Sequence, residues 1–312
     1  MPERNLGPSG LRVSVVGLGC NNFGGRIDAA ATRKVVDKAI DLGITLFDTA
    51  DIYGNQGGSE ELLGQTLGER RKEIVLASKF GLPMDKAGRL QGGSRRYIMS
   101  AVEASLKRLK TDWLDLYQYH RPDPLTPMDE TLRALDDLVR QGKVRYIGSS
   151  NFSGWQTADA EWIARSQNLH RYVCCQNEYS LLVRGIEQDL VPAMQAYGLS
   201  LLPYFPLASG LLTGKYKRGE ALPAGTRLAG ANYPAERVLT EANWTKVEAL
   251  RKFCEARGRT MLELAFSWLA MKPFVASVIA GATTPAQLEQ NVRAVEWTLS
   301  ADELAEIDRI TA

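Results

Sequence analysis

The sequence predicts an α/β fold, a single (β/α)8 barrel spanning residues 1–312. Two observations carry that prediction. Short apolar runs alternate with longer segments of helical period along the chain, and the runs number eight. No change in composition marks a linker, and eight strand-helix units in one chain are what a barrel requires. A minimal barrel uses roughly 250 residues. The surplus falls to an N-terminal β-hairpin, a long loop after the seventh strand and an extra C-terminal helix.

The elements follow in order. The opening ERNLGPSGLRVS places Gly7, Pro8 and Gly10 between short polar-apolar stretches, which reads as a hairpin. VSVVGLG (13–19) is the first barrel strand, and a helix over 31–42 shows one face in Val35, Val36, Ala39 and Ile40. ITLFD (44–48), a helix over 59–67, IVLASK (74–79) and a helix over 94–109 come next, then WLDLYQYH (113–120). In the second half a helix over 128–141 turns Leu132, Leu135 and Leu138 inward and leads to VRYIGSSN (144–151). A helix over 153–166 precedes YVCCQNEY (172–179), and one over 186–197 precedes LSLLPYF (199–205). The glycine-rich stretch 206–240 reads as a long loop. Helices over 241–257 and 260–271, the strand FVASVIAG (274–281) and helices over 284–296 and 300–309 complete the chain.

Charge and composition exclude several classes. With 38 Lys+Arg against 36 Asp+Glu the net charge is +2, so nothing calls for a nucleic-acid partner. A 45% hydrophobic, 24% charged chain is an ordinary globular one. Cys20, Cys174, Cys175 and Cys254 have no C-x-x-C spacing and the chain has only His120 and His170, so neither a disulfide framework nor a metal centre is expected. The first residues lack a signal-peptide core, and the expected location is the cytoplasm. Residues 190–214 are uncharged and long enough to span a bilayer, but Pro192, Pro203 and Pro206 break them, which favours a buried strand and no membrane partner. A doubly wound open sheet is the structural runner-up; Gly17, Gly19 and Gly24 only imitate its dinucleotide fingerprint, at the wrong spacing.

Barrel active sites lie at the C-terminal ends of the strands. There the sequence puts Asp48, Lys79 and His120 at the ends of strands two to four, Asn151, Gln176 and Tyr204 near the ends of strands five to seven, and Tyr53 in the loop after Asp48. Taken singly, an Asp before a helix is a cap, a Lys after a strand is solvated, a lone His is structural and a loop Tyr packs. Together they fit carbonyl reduction. A tyrosine holds its proton at neutral pH and can donate it to an oxyanion. A neighbouring Lys79 ammonium, held by Asp48, is expected to lower the Tyr53 pKa, and neutral His120 to orient the carbonyl. None of these groups stores hydride, so a redox cofactor must bring it.

The stretches VGLGCNNFG (16–24), FDTADIYGNQGGSEELLG (47–64), ASKFG (77–81), DLYQYHRPD (115–123), VRYIGSSNF (144–152), QNEYSLL (176–182), PYFPLASGLLTGKY (203–216) and GATTPAQLEQN (281–291) together resemble the aldo-keto reductases over essentially the whole chain. The resemblance implies a nicotinamide cofactor bound without a Rossmann domain and a catalytic tetrad of Asp48, Tyr53, Lys79 and His120. It also implies cofactor contacts from Asp48 and from Gly19, Cys20 and Asn21 near the nicotinamide ribose, with Ser150, Asn151 and Gln176 at the carboxamide and Tyr204 stacked on the ring. Phe205, Pro206, Leu207, Ser209, Gly210 and Lys215 match the loop along the pyrophosphate, and Gly281, Thr283, Gln287, Gln290 and Asn291 the adenosine end. Cys20 stands where threonine is common. GATTPAQ has no Lys or Arg for a 2′-phosphate, but Arg227 matches a phosphate-contacting arginine and Lys215 adds a second charge, so NADPH is favoured over NADH.

Substrate-pocket walls are expected at Asn22, Phe23, Phe80, Arg121 and Tyr233, around a small-molecule carbonyl substrate. Arg95 and Arg96 open a helix and read as solvated, and Cys174 and Cys175 as core. Two further functions compete with the reductase: a barrel lyase using Lys79 as a Schiff base, and a nucleotide-holding redox sensor or regulatory subunit, as the channel β subunits of the family suggest. Oligomeric state and physiological substrate are not legible in the sequence.

Overall fold

The structure is a computed structural model of the chain and describes residues 1–230 and 235–312. Eight parallel strands form one sheet: β3 (Val16–Gly19), β4 (Leu46–Asp48), β5 (Val75–Phe80), β6 (Leu114–Tyr119), β7 (Val144–Ser150), β8 (Tyr172–Gln176), β9 (Ser200–Leu201) and β10 (Val278–Gly281). Neighbours along the chain are neighbours in the sheet, and β10 returns to pair with β3, Val278 opposite Val16. The remaining seam, between β9 and β10, closes through a Leu201–Val275 bridge and the bonds Ala276 N–H to Leu201 O (3.0 Å) and Ile279 N–H to Pro203 O (3.3 Å). The chain is thus a (β/α)8 barrel, as the eight apolar runs require.

Its lower end is plugged by the hairpin of β1 (Glu3–Asn5) and β2 (Arg12–Ser14). Leu6 and Val13 are fully buried against Leu46, Ala77, Leu116, Val173, Cys174, Leu202, Ala276 and Ile279 inside the barrel. The turn lies so close that a Cβ on Gly7, which has φ +57°, would stand 1.9 Å from the Val173 carbonyl oxygen. Only glycine fits there. Cys174 faces this interior while Cys175 joins the layer between sheet and helices, as neighbours on a strand must.

Around the sheet run α1 (Ala29–Asp41), α2 (Tyr53–Leu67), α3 (Arg95–Leu109), α4 (Met128–Arg140), α5 (Gly154–Ser166), α6 (Leu190–Tyr197), α7 (Glu241–Glu255), α8 (Met261–Ala270), α9 (Pro285–Arg293) and the extra α10 (Ala301–Thr311). Side-chain caps fix their starts: Asp28, Ser94, Thr240 and Thr284 accept from the first turn, and Ser153, Thr260 and Ser300 form capping boxes with Gln156, Glu263 and Glu303. Arg95 pairs with Asp137 on the surface at 2.5 Å. No helix is long and apolar enough to cross a membrane among the described residues.

Several expected boundaries move, among them the start of the helix expected over 186–197, now Leu190, and of the strand expected over 274–281, now Val278. The second helix begins at Tyr53 rather than 59, but residues 54–57 take positive φ, so regular helix starts only beyond them. The seventh strand, expected over 199–205, keeps ladder pairing at Ser200–Leu201 alone, because Pro203 and Pro206 have no N–H to give and Phe205 turns left-handed at φ 51°. The stretch 206–240 contains two short 3-10 turns, Ala208–Thr213 and Ala235–Arg237.

Candidate active site

Asp48, at the end of β4, is the centre of a buried polar cluster. Its Oδ2 accepts from Lys79 Nζ at 2.6 Å, and its Oδ1 accepts from the side-chain amides of Gln118 (3.0 Å) and Gln176 (2.9 Å). Lys79, with no exposed surface, also donates to the Thr49 carbonyl at 2.8 Å. A buried charge pair survives when its remaining hydrogen-bonding capacity is satisfied, and here it is. Burial pulls the Lys79 pKa down, but Asp48 and the Tyr53 phenol outweigh it, and the net direction is up. The group is an ammonium. A Schiff base needs a neutral amine, so this geometry opposes the lyase alternative.

Tyr53 stands over that ammonium, Lys79 Nζ lying 5.0 Å from the ring centroid. Its other neighbour is His120, edge-on at 5.8 Å between centroids and 85° between planes. The expected lowering of the Tyr53 pKa is corrected. Burial raises it by more than Lys79 lowers it, and the phenol keeps its proton well into the alkaline range. His120 is pushed down to about 2, first by burial and then by the charges of Lys79 and Arg121. It is therefore neutral at every physiological pH. Its backbone is pinned by N–H to Phe80 O (2.9 Å) and by Asn151 Nδ2 donating to His120 O (2.9 Å).

Asn151 ties three strand ends together. Held at φ 60°, it also donates to Ser150 Oγ (3.0 Å) and accepts from the Tyr204 hydroxyl at 2.8 Å. Past Tyr204 the backbone takes positive φ at Phe205, Ala208 and Ser209, an arrangement costing of order 1–3 kcal/mol per residue. Such runs of strained amides make anion-binding concavities.

These groups line one cavity of about 800 Å3. Asp48, Tyr53 and His120 stand at its inner end with Asn22 and Arg121. Gly19, Asn21, Ser150, Asn151, Gln176 and Tyr204 line it too, with Phe205, Pro206, Leu207, Ser209, Gly210, Lys215 and Arg227 from the loop after β9, and Gly281, Thr283, Gln287, Gln290 and Asn291 from the end of β10 and the start of α9. Two links cross it: Arg26 donates to Gly225 O (2.9 Å) and Arg227 to Asn22 Oδ1 (3.3 Å), so the loop after β9 is strapped to the loop after β3. A cavity of this volume, lined by side-chain amides and by the cations Lys215 and Arg227, suits a dinucleotide.

Some expected residues do not reach the cavity. Phe80 follows Lys79 on β5 and so points the opposite way, stacked on Tyr119 at 5.1 Å and 2°. Phe23 is fully buried in the core, and so is Cys20, whose thiol approaches the Leu18 carbonyl instead. Lys79 acts from behind the wall. Tyr233 lies outside the described residues. His170, left without a role, is held by Asp136 at 2.6 Å.

Sequence reasoning missed Gln118. A signal existed, because it lies two residues before His120 on β6, and alternate residues share a face. Arg26, Leu82, Thr213 and residues 224–226 also line the cavity, and nothing in their loops distinguished them beforehand.

Comparison with known proteins agrees with this geometry. The family model described as "Aldo/keto reductase family" matches residues 15–312. The chain is 38% identical to the "Uncharacterized oxidoreductase YrpG" of Bacillus subtilis (strain 168), covering 98% of this chain and 94% of that one. It is 36% identical to the "L-glyceraldehyde 3-phosphate reductase" of Escherichia coli (strain K12), over 99% and 92% respectively. It is also 38% identical to the "Probable voltage-gated potassium channel subunit beta" of Arabidopsis thaliana, over 95% and 92%. Aldo-keto reductases use NAD(P)H. With its barrel, its Asp48–Lys79 pair beside Tyr53 and His120, and its full-length match, the chain belongs to the aldo/keto reductase family and is an oxidoreductase.

Proposed function

We propose that the protein reduces aldehydes or ketones with NADPH, in preference to NADH, and that Tyr53 delivers the proton. The observation that carries this reading is the stack of Tyr53 on the buried Lys79–Asp48 pair beside a neutral His120. When bound, the nicotinamide supplies the hydride. Tyr53 holds a proton at its hydroxyl, and the ammonium behind it stabilises the phenolate left after donation. Asp48 keeps Lys79 in place, and Gln118 and Gln176 keep Asp48 in place. A neutral imidazole at His120 orients the carbonyl oxygen by hydrogen bonding. Lys215 and Arg227 supply the positive charge for cofactor phosphates, and Asn151 with Tyr204 frames the inner end.

The test is a panel of aldehydes, ketones and sugars followed at 340 nm with each cofactor. L-Glyceraldehyde 3-phosphate leads the panel because the Escherichia coli relative is named for it. Tyr53→Phe is expected to abolish reduction, a loss of at least about 100-fold, while NADPH affinity stays nearly intact by fluorescence titration. Full activity in that variant sinks the mechanism. A second reading, a nucleotide-holding subunit of a larger assembly, draws on the relatives named as potassium channel β subunits. Cofactor retained through gel filtration with very slow turnover across the panel would favour it.

A further inference from the structure

Beyond His120 the chain turns through Arg121 and Pro122. Arg121 lines the cavity at its catalytic end. Its charge is felt by the His120 imidazole and, less than that of Glu178, by the Tyr204 phenol. Among the described residues Arg121 forms no ion pair and no hydrogen bond. The nearby carboxylates are turned elsewhere. Asp123, two residues on, accepts from the backbone N–H of Gly93 (3.2 Å) and Leu125 (2.9 Å) and from the Thr126 hydroxyl (2.6 Å). Glu178, across Tyr204, lines a separate cavity with Arg237 and Asn243, and burial pushes its carboxyl pKa up.

Several other cations of the barrel are engaged. Arg71, Arg108, Arg184 and Arg257 each pair with acidic side chains, and Lys79 belongs to Asp48. Arg227 is engaged by the Asn22 side chain, and Lys215 lines the cavity from the loop after β9. The reacting carbonyl would therefore meet a cation adjacent to the group that orients its oxygen. Of the other walls there, Leu82, Asn22, Tyr53 and Tyr204 bring no negative charge, and the Asp48 carboxylate is paired with Lys79. A guanidinium in a partly enclosed pocket attracts an oxyanion and can hold it with two parallel hydrogen bonds. Binding energy from such a remote group lowers the barrier at the reacting centre.

We propose that Arg121 is the specificity determinant of the carbonyl site, selecting aldehydes or ketones that carry a phosphate monoester or a carboxylate a few bonds from the reacting carbon. This rests on the reductase reading above. The experiment measures kcat/KM at saturating NADPH for two matched pairs, glyceraldehyde with glyceraldehyde 3-phosphate and butanal with succinic semialdehyde. The full-length protein is expected to prefer the charged member of at least one pair by tenfold or more, and the responding pair names the anion. That preference should shrink as salt rises. In Arg121→Gln the ratio of charged to neutral substrate should fall at least tenfold, mainly through KM, with Arg121→Lys intermediate because an ammonium keeps the charge but loses the fork. Equal ratios in wild type and Arg121→Gln, or a wild-type preference for the neutral members, overturn the inference. Because the wild-type ratio and its salt dependence need no variant, a misfolded mutant does not shield it. Turnover with an unchanged ratio removes this inference alone; no turnover of any carbonyl removes the reductase reading, and this inference with it.

Discussion

Asp51 lies between Asp48 and Tyr53 in the chain, and its environment is unusual. It is almost fully buried, its Oδ1 has no hydrogen-bond partner among the described residues, and its Oδ2 accepts only from the Tyr97 hydroxyl at 3.2 Å. Glu60 from α2, Tyr97 and Arg108 from α3, and Tyr117 from β6 face it. Burial, then the Glu60 charge, raise its pKa from the ordinary 3.8 to about 7. The folded protein holds a proton there that the unfolded chain gives up above pH 4, so stability must fall as pH rises from about 4 to about 7 and level off beyond. The rise corresponds to a penalty on the order of 4 kcal/mol at neutral pH. Asp51→Asn cannot ionise. Its urea midpoint should overtake that of the wild type as pH climbs through this window, and parallel curves from pH 4 to 8 would refute the assignment. At this scale strand parity decided what the sequence disclosed. That Asp48, Tyr53 and His120 line one cavity was legible because the strand ends and the loops after them share one rim of a barrel, whereas Phe80 was misplaced because it was read by its chemistry rather than by its place after Lys79.

Among elements, the strap from β9 is where sequence reading succeeds in part. Its glycines and prolines marked a long loop, and the resemblance supplied Lys215 and Arg227. The left-handed run at Phe205, Ala208 and Ser209 was not legible, since none of these residue types prefers positive φ. Most helix starts were read to within two residues, because Ser, Thr and Asp caps are a local code, but those of α2 and α6 were not. Strand ends were not, because pairing depends on partners distant in sequence. Arg227 reaches both Asn22 and the Phe205 ring, over which its guanidinium sits at 5.5 Å. Arg227→Ala should weaken NADPH binding about tenfold or more, beyond any effect on NADH. Equal loss for the two cofactors in a fluorescence titration would instead make Arg227 a clasp for the loop and leave the 2′-phosphate unread.

On the scale of the molecule the eight apolar runs were enough to give the barrel, since each strand-helix unit must bury one face on its neighbour. We propose that residues 1–312 also unfold as one unit, the hairpin included. Gly7→Ala tests the coupling. The added methyl collides with the Val173 carbonyl, and the left-handed backbone adds further strain, so a loss of about 3 kcal/mol or more is expected. Circular dichroism and tryptophan fluorescence should then report a common, lower midpoint. Separate transitions would show that the plug melts independently of the barrel.

The plugged lower end also governs traffic. With Leu6 and Val13 filling the bottom of the barrel, everything that reacts must come and go through the upper mouth, and a strap already crosses it. The Arg26–Gly225 and Arg227–Asn22 links thus stand on the one side from which the cavity can be reached among the described residues.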